Sequence, residues 1–341
     1  MPPDPPRAGE LERIRRLTAH LPPGRGVIVG PGDDAAIVRP EDGADLAITT
    51  DAFLEARHFR REWCREAPGL ARLATAVGRR LAAANLSDLA AMAAAPRWAV
   101  LSVGARAESE EWLEEVERAL AAKLAESGAA LVGGNLARTD GPEWYSLTLV
   151  GSVVRGRAWA RAGARAGDLI AVTGAPGRAA AFGKRAPEYW ADPDAAGPLH
   201  ALGESWCDPA SRVNVAAALA ALGAVTAAID LSDGLHGNLA QLCEAGGVGA
   251  EIDAASFGED ALIAGSSPLE ELRYGPSDDY ELLITVDAAR RAACADAARR
   301  AGAPLTFAGR ITDRAGDLTL RRADGTRAAL PGRGYDHFAA H

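Results

Sequence analysis

Gly32-Asp33-Asp34-Ala35-Ala36-Ile37-Val38, the breakers Arg39-Pro40-Glu41-Asp42-Gly43-Ala44 and the run Leu46-Ala47-Ile48-Thr49-Thr50-Asp51 form the stretch on which the fold turns. Two apolar runs around a cluster of breakers predict two strands joined by a turn near Asp42 and Gly43. Antiparallel pairing would set Asp34 opposite Asp51, where like charges cost up to about 1 kcal/mol. A divalent cation reverses that sign, because a hard ion such as Mg²⁺ takes carboxylate oxygens, keeps several waters and binds through substrate phosphates. A solvated strand end with turn-forming aspartates explains the same residues without a metal.

Around this stretch lie 341 residues, enough for two domains or one large α/β domain, 48% apolar and 24% charged, as in a globular protein. The net charge of -9 argues against nucleic-acid or membrane-surface binding, which needs a basic face, and leaves metal-mediated phosphate binding open. Cys64, Cys207, Cys243 and Cys294 are far apart with no C-x-x-C pair, so neither a zinc site nor a disulfide framework is indicated. With no apolar signal region and no run of about 18 apolar residues, the chain reads as soluble and cytoplasmic.

In chain order, Leu11, Ile14, Leu17 and Leu21 predict a helix over Glu10 to Leu21. Ala67 to Ala94 is strongly helical, but Asn85 and Ser87 favour caps, which predicts a break there, a new helix from Leu89, and Asp88 at its start. Strands are expected at Arg97 to Val103, at Ala129 to Val132 ending on Gly133-Gly134-Asn135, and at Trp144 to Val154, with a helix over Glu110 to Ser127. The pattern changes at Arg155-Gly156-Arg157, which divides the chain into residues 1–155 and 156–341. Four arginines between Arg155 and Arg165 make either a solvated linker or a phosphate clamp. Asp168 to Val172 leads into Thr173-Gly174-Ala175-Pro176-Gly177, but no G-x-x-x-x-G-K-[ST] occurs, which excludes a P-loop nucleotidase. Val225 to Ile229 ends in Asp230-Leu231-Ser232-Asp233-Gly234-Leu235, which puts two acids at a strand-to-helix junction. Acids recur at Asp278-Asp279-Tyr280-Glu281, and the chain closes on Gly334-Tyr335-Asp336-His337-Phe338.

Singly these acids are ambiguous, whereas their order is not. Gly32-Asp33-Asp34-Ala35-Ala36, Thr49-Thr50-Asp51 with His58-Phe59, Asn85-Leu86-Ser87-Asp88-Leu89-Ala90-Ala91-Met92, Asp230-Leu231-Ser232-Asp233-Gly234-Leu235, Asp279-Tyr280-Glu281 and Gly334-Tyr335-Asp336 together resemble the bacterial thiamine-monophosphate kinases. The resemblance implies an α/β (α+β) chain of two domains, with a mixed N-terminal sheet closing a barrel across a homodimer and a C-terminal α/β domain completing each site. It implies transfer of the ATP γ-phosphoryl group directly onto thiamine monophosphate, with Mg²⁺ and no protein nucleophile. Asp34, Thr49, Thr50, Asp51, Asp88, Asn135, Asp230 and Asp233 are then the implied metal ligands, with Asp51, Asp88 and Asp230 central to catalysis. Gly134, Asn135, Arg161 and Ser232 are implied at ATP, and His58, Asp278 and Tyr335 at the thiamine phosphate.

The chain departs from that pattern at Asn135, where the family has an ionised Asp, and at Pro276-Ser277-Asp278, where it has Gly-Gly-Glu. Two other readings remain open here. One is a relative in the same ATP-dependent superfamily with another acceptor, of the selenophosphate, aminoimidazole-ribonucleotide or hydrogenase-maturation kind. The other is a nucleotide-binding protein that has lost catalysis.

Overall fold

The computed structural model describes residues 10–21, 24–31, 35–64, 66–194, 196–263 and 268–335. An N-terminal helix α1 (Glu10–Thr18) and a two-stranded ribbon, β1 (Val27–Val29) with β2 (Ile37–Val38), precede the first large sheet. That sheet is built from β3 (Ala44–Leu54), β4 (Ala95–Ala105), β5 (Ala130–Arg138) and β6 (Trp144–Val154), in the order β3-β6-β4-β5. It is mixed, since β6 is antiparallel to both neighbours and β4 runs parallel to β5.

The expected hairpin does not form. β2 pairs with β1, whereas β3 pairs with β6 along its whole length, so Asp51 faces Leu147, and Asp34 lies outside the described residues. The reason is length: an 11-residue strand gains far more from an 11-residue partner than from the two residues of β2.

One face of the sheet is covered by α2 (Ala67–Ala91) and α3 (Glu110–Glu126). The predicted break in α2 is absent. Asn85 Nδ2 donates to the carbonyl of Leu81, one turn back, and Ser87 Oγ lies 2.8 Å from the carbonyl of Ala84, so both residues bond along the helix instead of capping a new one. The C-terminal half of α2 is buried almost all round, and that burial overrides the local preference of Asn and Ser. Asp88 therefore sits in the last turn of α2, not the first of another helix.

The second sheet has seven strands, in the order β13-β12-β9-β11-β7-β10-β8: β7 (Leu169–Thr173), β8 (Val225–Leu231), β9 (Gly249–Asp253), β10 (Glu281–Val286), β11 (Leu305–Thr312), β12 (Leu318–Arg321) and β13 (Arg327–Ala329). All its pairings are antiparallel except β12 with β9. One face packs on α7 (Leu235–Gly246), the other on α6 (Val213–Ala220) and α9 (Arg291–Arg300). The helices α4 (Arg178–Ala191) and α5 (Pro198–Cys207), with α8 (Leu269–Tyr274), complete the chain, and Phe182, Tyr189 and Trp206 join the core that also holds Leu73, Val77 and Leu81 of α2. α2 thus runs between the two sheets, and the site is built along it.

Candidate active site

Strand alternation turns Ala47, Thr49, Asp51 and Phe53 of β3 toward α2 and leaves Ile48 and Thr50 on the opposite face. Thr49 Oγ1 hydrogen-bonds Asp88 Oδ2 across that gap. Ser87 Oγ, one residue earlier, also reaches Asp230 Oδ2 at 2.7 Å, at the end of β8. Three carboxylates from β3, α2 and β8 thereby meet. Burial pushes Asp51 up to about 7, helped by the charge of Asp88 and a hydrogen bond with it. Burial likewise raises Asp230 to about 7, with Asp88 and then Asp51 adding to it against hydrogen bonds from Ser87 and Ser232. Asp88 is raised by burial too, but Thr49, Arg161 and the bond to Asp51 pull the other way. Asp51 and Asp88 therefore hold a proton between them more tightly than either would alone.

The turn after β8 extends the group. Ser232 Oγ donates to Asp230 Oδ1 at 3.2 Å. The Asp233 amide donates to Asn238 Oδ1 at 2.9 Å, Gln241 Nε2 donates to Asp233 Oδ2 at 3.3 Å, and Arg161 Nη1 donates to Gln241 Oε1 at 2.7 Å. The Tyr335 amide donates to the carbonyl of Asp233 at 3.2 Å. Gly234 opens α7 with φ +89, and a Cβ there would lie 1.9 Å from the carbonyl oxygen of Gly275, so the turn needs glycine for its conformation and for space.

Arg80 of α2, buried, pairs with Asp278 and donates to the carbonyl of Trp206 at 2.8 Å. The neighbouring Asp279 is a packing residue: its carboxylate accepts from the amides of Gly177 and Ala179 at the start of α4. Tyr280 holds φ +54, a conformation costing on the order of 1–3 kcal/mol, fixed by full burial and by its amide on the carbonyl of Leu231. Burial raises its hydroxyl well above the ordinary range, and the charge of Asp278, opposed by that of Arg80, adds to this along with Asp51 and Asp230.

Other expected residues stand apart. Thr50 hydrogen-bonds the carbonyl of Leu147 and Thr148 Oγ1, on the face of β3 turned away from the acids, because alternate side chains of a strand point to opposite faces. Gly134 and Asn135 lie within β5, at the opposite edge of the sheet from β3 with β6 and β4 between them, so Val132 does not end the strand as expected. A Cβ on Gly134 would fall 2.0 Å from the carbonyl oxygen of Leu101, so this glycine is required by β4 itself. Both residues border a cavity of 620 Å³ between α1, α3 and β5, where buried Glu117 makes no hydrogen bond and has His20 Nε2 at 3.4 Å from its Oε2. His58 stacks on Phe53 at 5.0 Å and accepts from the Leu54 amide through Nδ1, beyond the acids along β3.

Sequence reasoning assigned Ser87 a capping role, placed Tyr280 in a motif without a role of its own, and did not mark Gln241 or Arg80. An arginine pair, Arg79-Arg80, inside an Ala- and Leu-rich helical run was the available signal, since a charge on a buried face requires a partner.

Among the described residues no three acidic, histidine or cysteine side chains close around one point as a ready-made metal cage. The donors at the acid group are oxygens only, and the crowded, buried carboxylates repel one another when ionised, which a cation relieves. That donor set fits Mg²⁺, which binds through a few carboxylates plus water and phosphate.

Two family models match the chain: AIR synthase related protein, N-terminal domain, over residues 32–153, and AIR synthase related protein, C-terminal domain, over residues 165–320. The thiamine-monophosphate kinase of Salmonella typhimurium (strain LT2) is 35% identical over 335 residues, spanning 97% of this chain and 98% of that protein. The crystal structure of a thiamine-monophosphate kinase from Stenotrophomonas maltophilia K279a has a TM-score of 0.78 at 31% identity, covering 93% of this chain and 96% of that one. A structure described as AaThiL complexed with AMPPCP and TMP shares the fold, with a TM-score of 0.70 at 24% identity, covering 88% and 89%.

Proposed function

The chain belongs to the thiamine-monophosphate kinase family, and we propose that it transfers the γ-phosphoryl group of ATP onto the phosphate of thiamine monophosphate, giving thiamine diphosphate. The observation that carries this reading is the meeting of Asp51, Asp88 and Asp230, from both sheets and the helix between them. Two polyphosphate anions repel one another, so the task is to hold donor and acceptor in line and neutralise the transferring oxygens. Mg²⁺, when bound, supplies that neutralisation. Asp51, Asp88, Asp230, Asp233 and Thr49 are the proposed ligands, with Ser87 and Ser232 orienting Asp230. Arg161, tied through Gln241 to Asp233, adds positive charge beside the phosphates. Asp278 and Tyr335 are proposed at the acceptor.

The cavity beside Gly134 and Asn135 is the proposed nucleoside pocket, although in one protomer it lies across the sheet from the acids. A homodimer whose N-terminal sheets meet face to face would bring further groups to each site and close the proposed barrel. In this division residues 1–155 carry dimerisation and most metal ligands, and residues 156–341 complete the site, in a cytoplasmic enzyme.

Incubating purified protein with ATP, Mg²⁺ and thiamine monophosphate tests the reading. Thiamine diphosphate as product supports it. ATP turnover only with another acceptor would favour a different superfamily activity, and binding without turnover a relative that has lost catalysis.

A further inference from the structure

Arg80 is an arginine in the middle of a helix whose surroundings are otherwise apolar, and it is 1% exposed. Its guanidinium lies 4.1 Å from the centre of the Trp206 ring and 5.3 Å from that of Tyr280, while the far face of Trp206 is stacked on Phe182 at 4.6 Å. Sandwiched in this way and hydrogen-bonded to the Trp206 carbonyl, it has one orientation, and in it the fork meets Asp278 Oδ2. Asp278 keeps 43% of its side chain exposed and lines a cavity of 230 Å³ with Gly174, Arg178, Ser205 and Arg212. Asp278 is thus held through Oδ2 while part of its side chain stays open at that cavity. A latch that served stability alone would bury the acid with the arginine.

Helix geometry strengthens the point. Arg80 and Ser87 are seven residues apart, hence on one face of α2 and about 10 Å apart along its axis. Ser87 holds Asp230 at the phosphate end, and Arg80 holds Asp278 at the other. One stripe of α2 sets the separation between the transfer centre and the acid that would receive the acceptor.

We infer that Arg80 is a positioning residue for the acceptor substrate: it aims Asp278 into this cavity as hydrogen-bond acceptor for a ring bearing an amino group. The inference rests on the proposed kinase reading, in which that ring is the aminopyrimidine of thiamine monophosphate. Arg80 acts through Asp278 and touches no reacting atom.

Steady-state kinetics of the full-length wild type, Arg80→Met, Arg80→Lys and Asp278→Asn test it, each with thiamine monophosphate and with the analogue whose pyrimidine amino group is replaced by an oxo group. Arg80→Met raises KM for thiamine monophosphate about ten- to a hundredfold and leaves KM for ATP within about twofold, the size of a lost charge-assisted hydrogen bond. Arg80→Lys, which keeps the charge without the planar fork, falls between. Asp278→Asn reproduces the effect, and both it and Arg80→Met lose the preference for the amino over the oxo compound. If Arg80→Met lowers the melting temperature while Asp278→Asn keeps wild-type KM and preference, the pair is a structural latch and the inference falls. A wild type inactive on thiamine monophosphate would overturn the functional reading and this inference with it, whereas an active wild type whose variants raise both KM values alike overturns the inference alone.

Discussion

At the scale of the residue, Asp51 shows how a site can be stored in a fold at the expense of stability. Its carboxyl is raised from an ordinary value near 3.8 to about 7 by burial and by Asp88. The native protein therefore retains a proton that the unfolded chain releases, and stability falls as pH rises from about 4 to about 7. Above that window the cost is on the order of 2–4 kcal/mol in protein freed of metal. Asp51→Asn removes it, so in the presence of a chelator the variant melts higher than wild type at pH 8 and level with it at pH 4, while phosphoryl transfer falls at least about a thousandfold as a charge at the transfer centre is lost. A variant that melts lower at pH 8 and keeps proportionate activity would make Asp51 a structural turn residue. Each acid of the group was legible in sequence from its motif, but what holds it was not: Ser87 reaches Asp230 over 143 positions of chain, and no local pattern contains such a bond.

At the scale of the element, α2 is where sequence and structure part most clearly. Asn85 and Ser87 carry cap chemistry, and only the surrounding core, which leaves no water to bond them, turns them back onto the helix. The strands β6 and β10 were legible because alternation or an apolar run marks them without reference to a partner, whereas the pairing of β3 was set by a strand some 100 residues away. The same helix gives a prediction in which two effects compete. Gly78 is mid-helix, and alanine there gains about 1 kcal/mol of propensity. A Cβ at Gly78, however, would stand 2.1 Å from the carbonyl oxygen of Val116 and 2.9 Å from the amide nitrogen of Leu120 in α3. Neither backbone group can yield without separating the helices, so the steric cost of about 2–4 kcal/mol exceeds the gain. Gly78→Ala lowers the urea midpoint and, by moving Asp88 and Arg80 relative to β3 and Asp278, weakens activity; a raised midpoint would show that α2 and α3 are not locked there.

At the scale of the whole molecule, the N-terminal sheet is covered on one face and only in part on the other, where the β1–β2 ribbon packs Val27 and Val38 against Trp98, Ala130 and Val132. α2 and α3 cover the inner face, but on the outer side Ile48 is 68% exposed, Leu46 46% and Val100 38%, around half-buried Val150. Among the described residues no strand pairs with the outer edge of β3, 11 residues long, and such an edge is a template for pairing that proteins cover or blunt. Single exposed apolar residues are ordinary, but several on one sheet face beside an open strand edge call for a partner surface. A second copy of the chain would supply the same surface in complementary orientation about a two-fold axis, and would also bring additional groups toward acids around which the described residues of one protomer close no complete metal cage. The protein is therefore expected to sediment as a dimer at micromolar concentration. Ile48→Glu places a charge at the centre of the contact without touching the inner face, where Thr49 and Asp51 lie, and shifts the protein to monomer with a loss of activity that reverses in part at high protein concentration, as mass action requires. A wild type that sediments as a fully active monomer, or an Ile48→Glu protein that remains a dimer, would place the contact elsewhere and leave the outer face to another role.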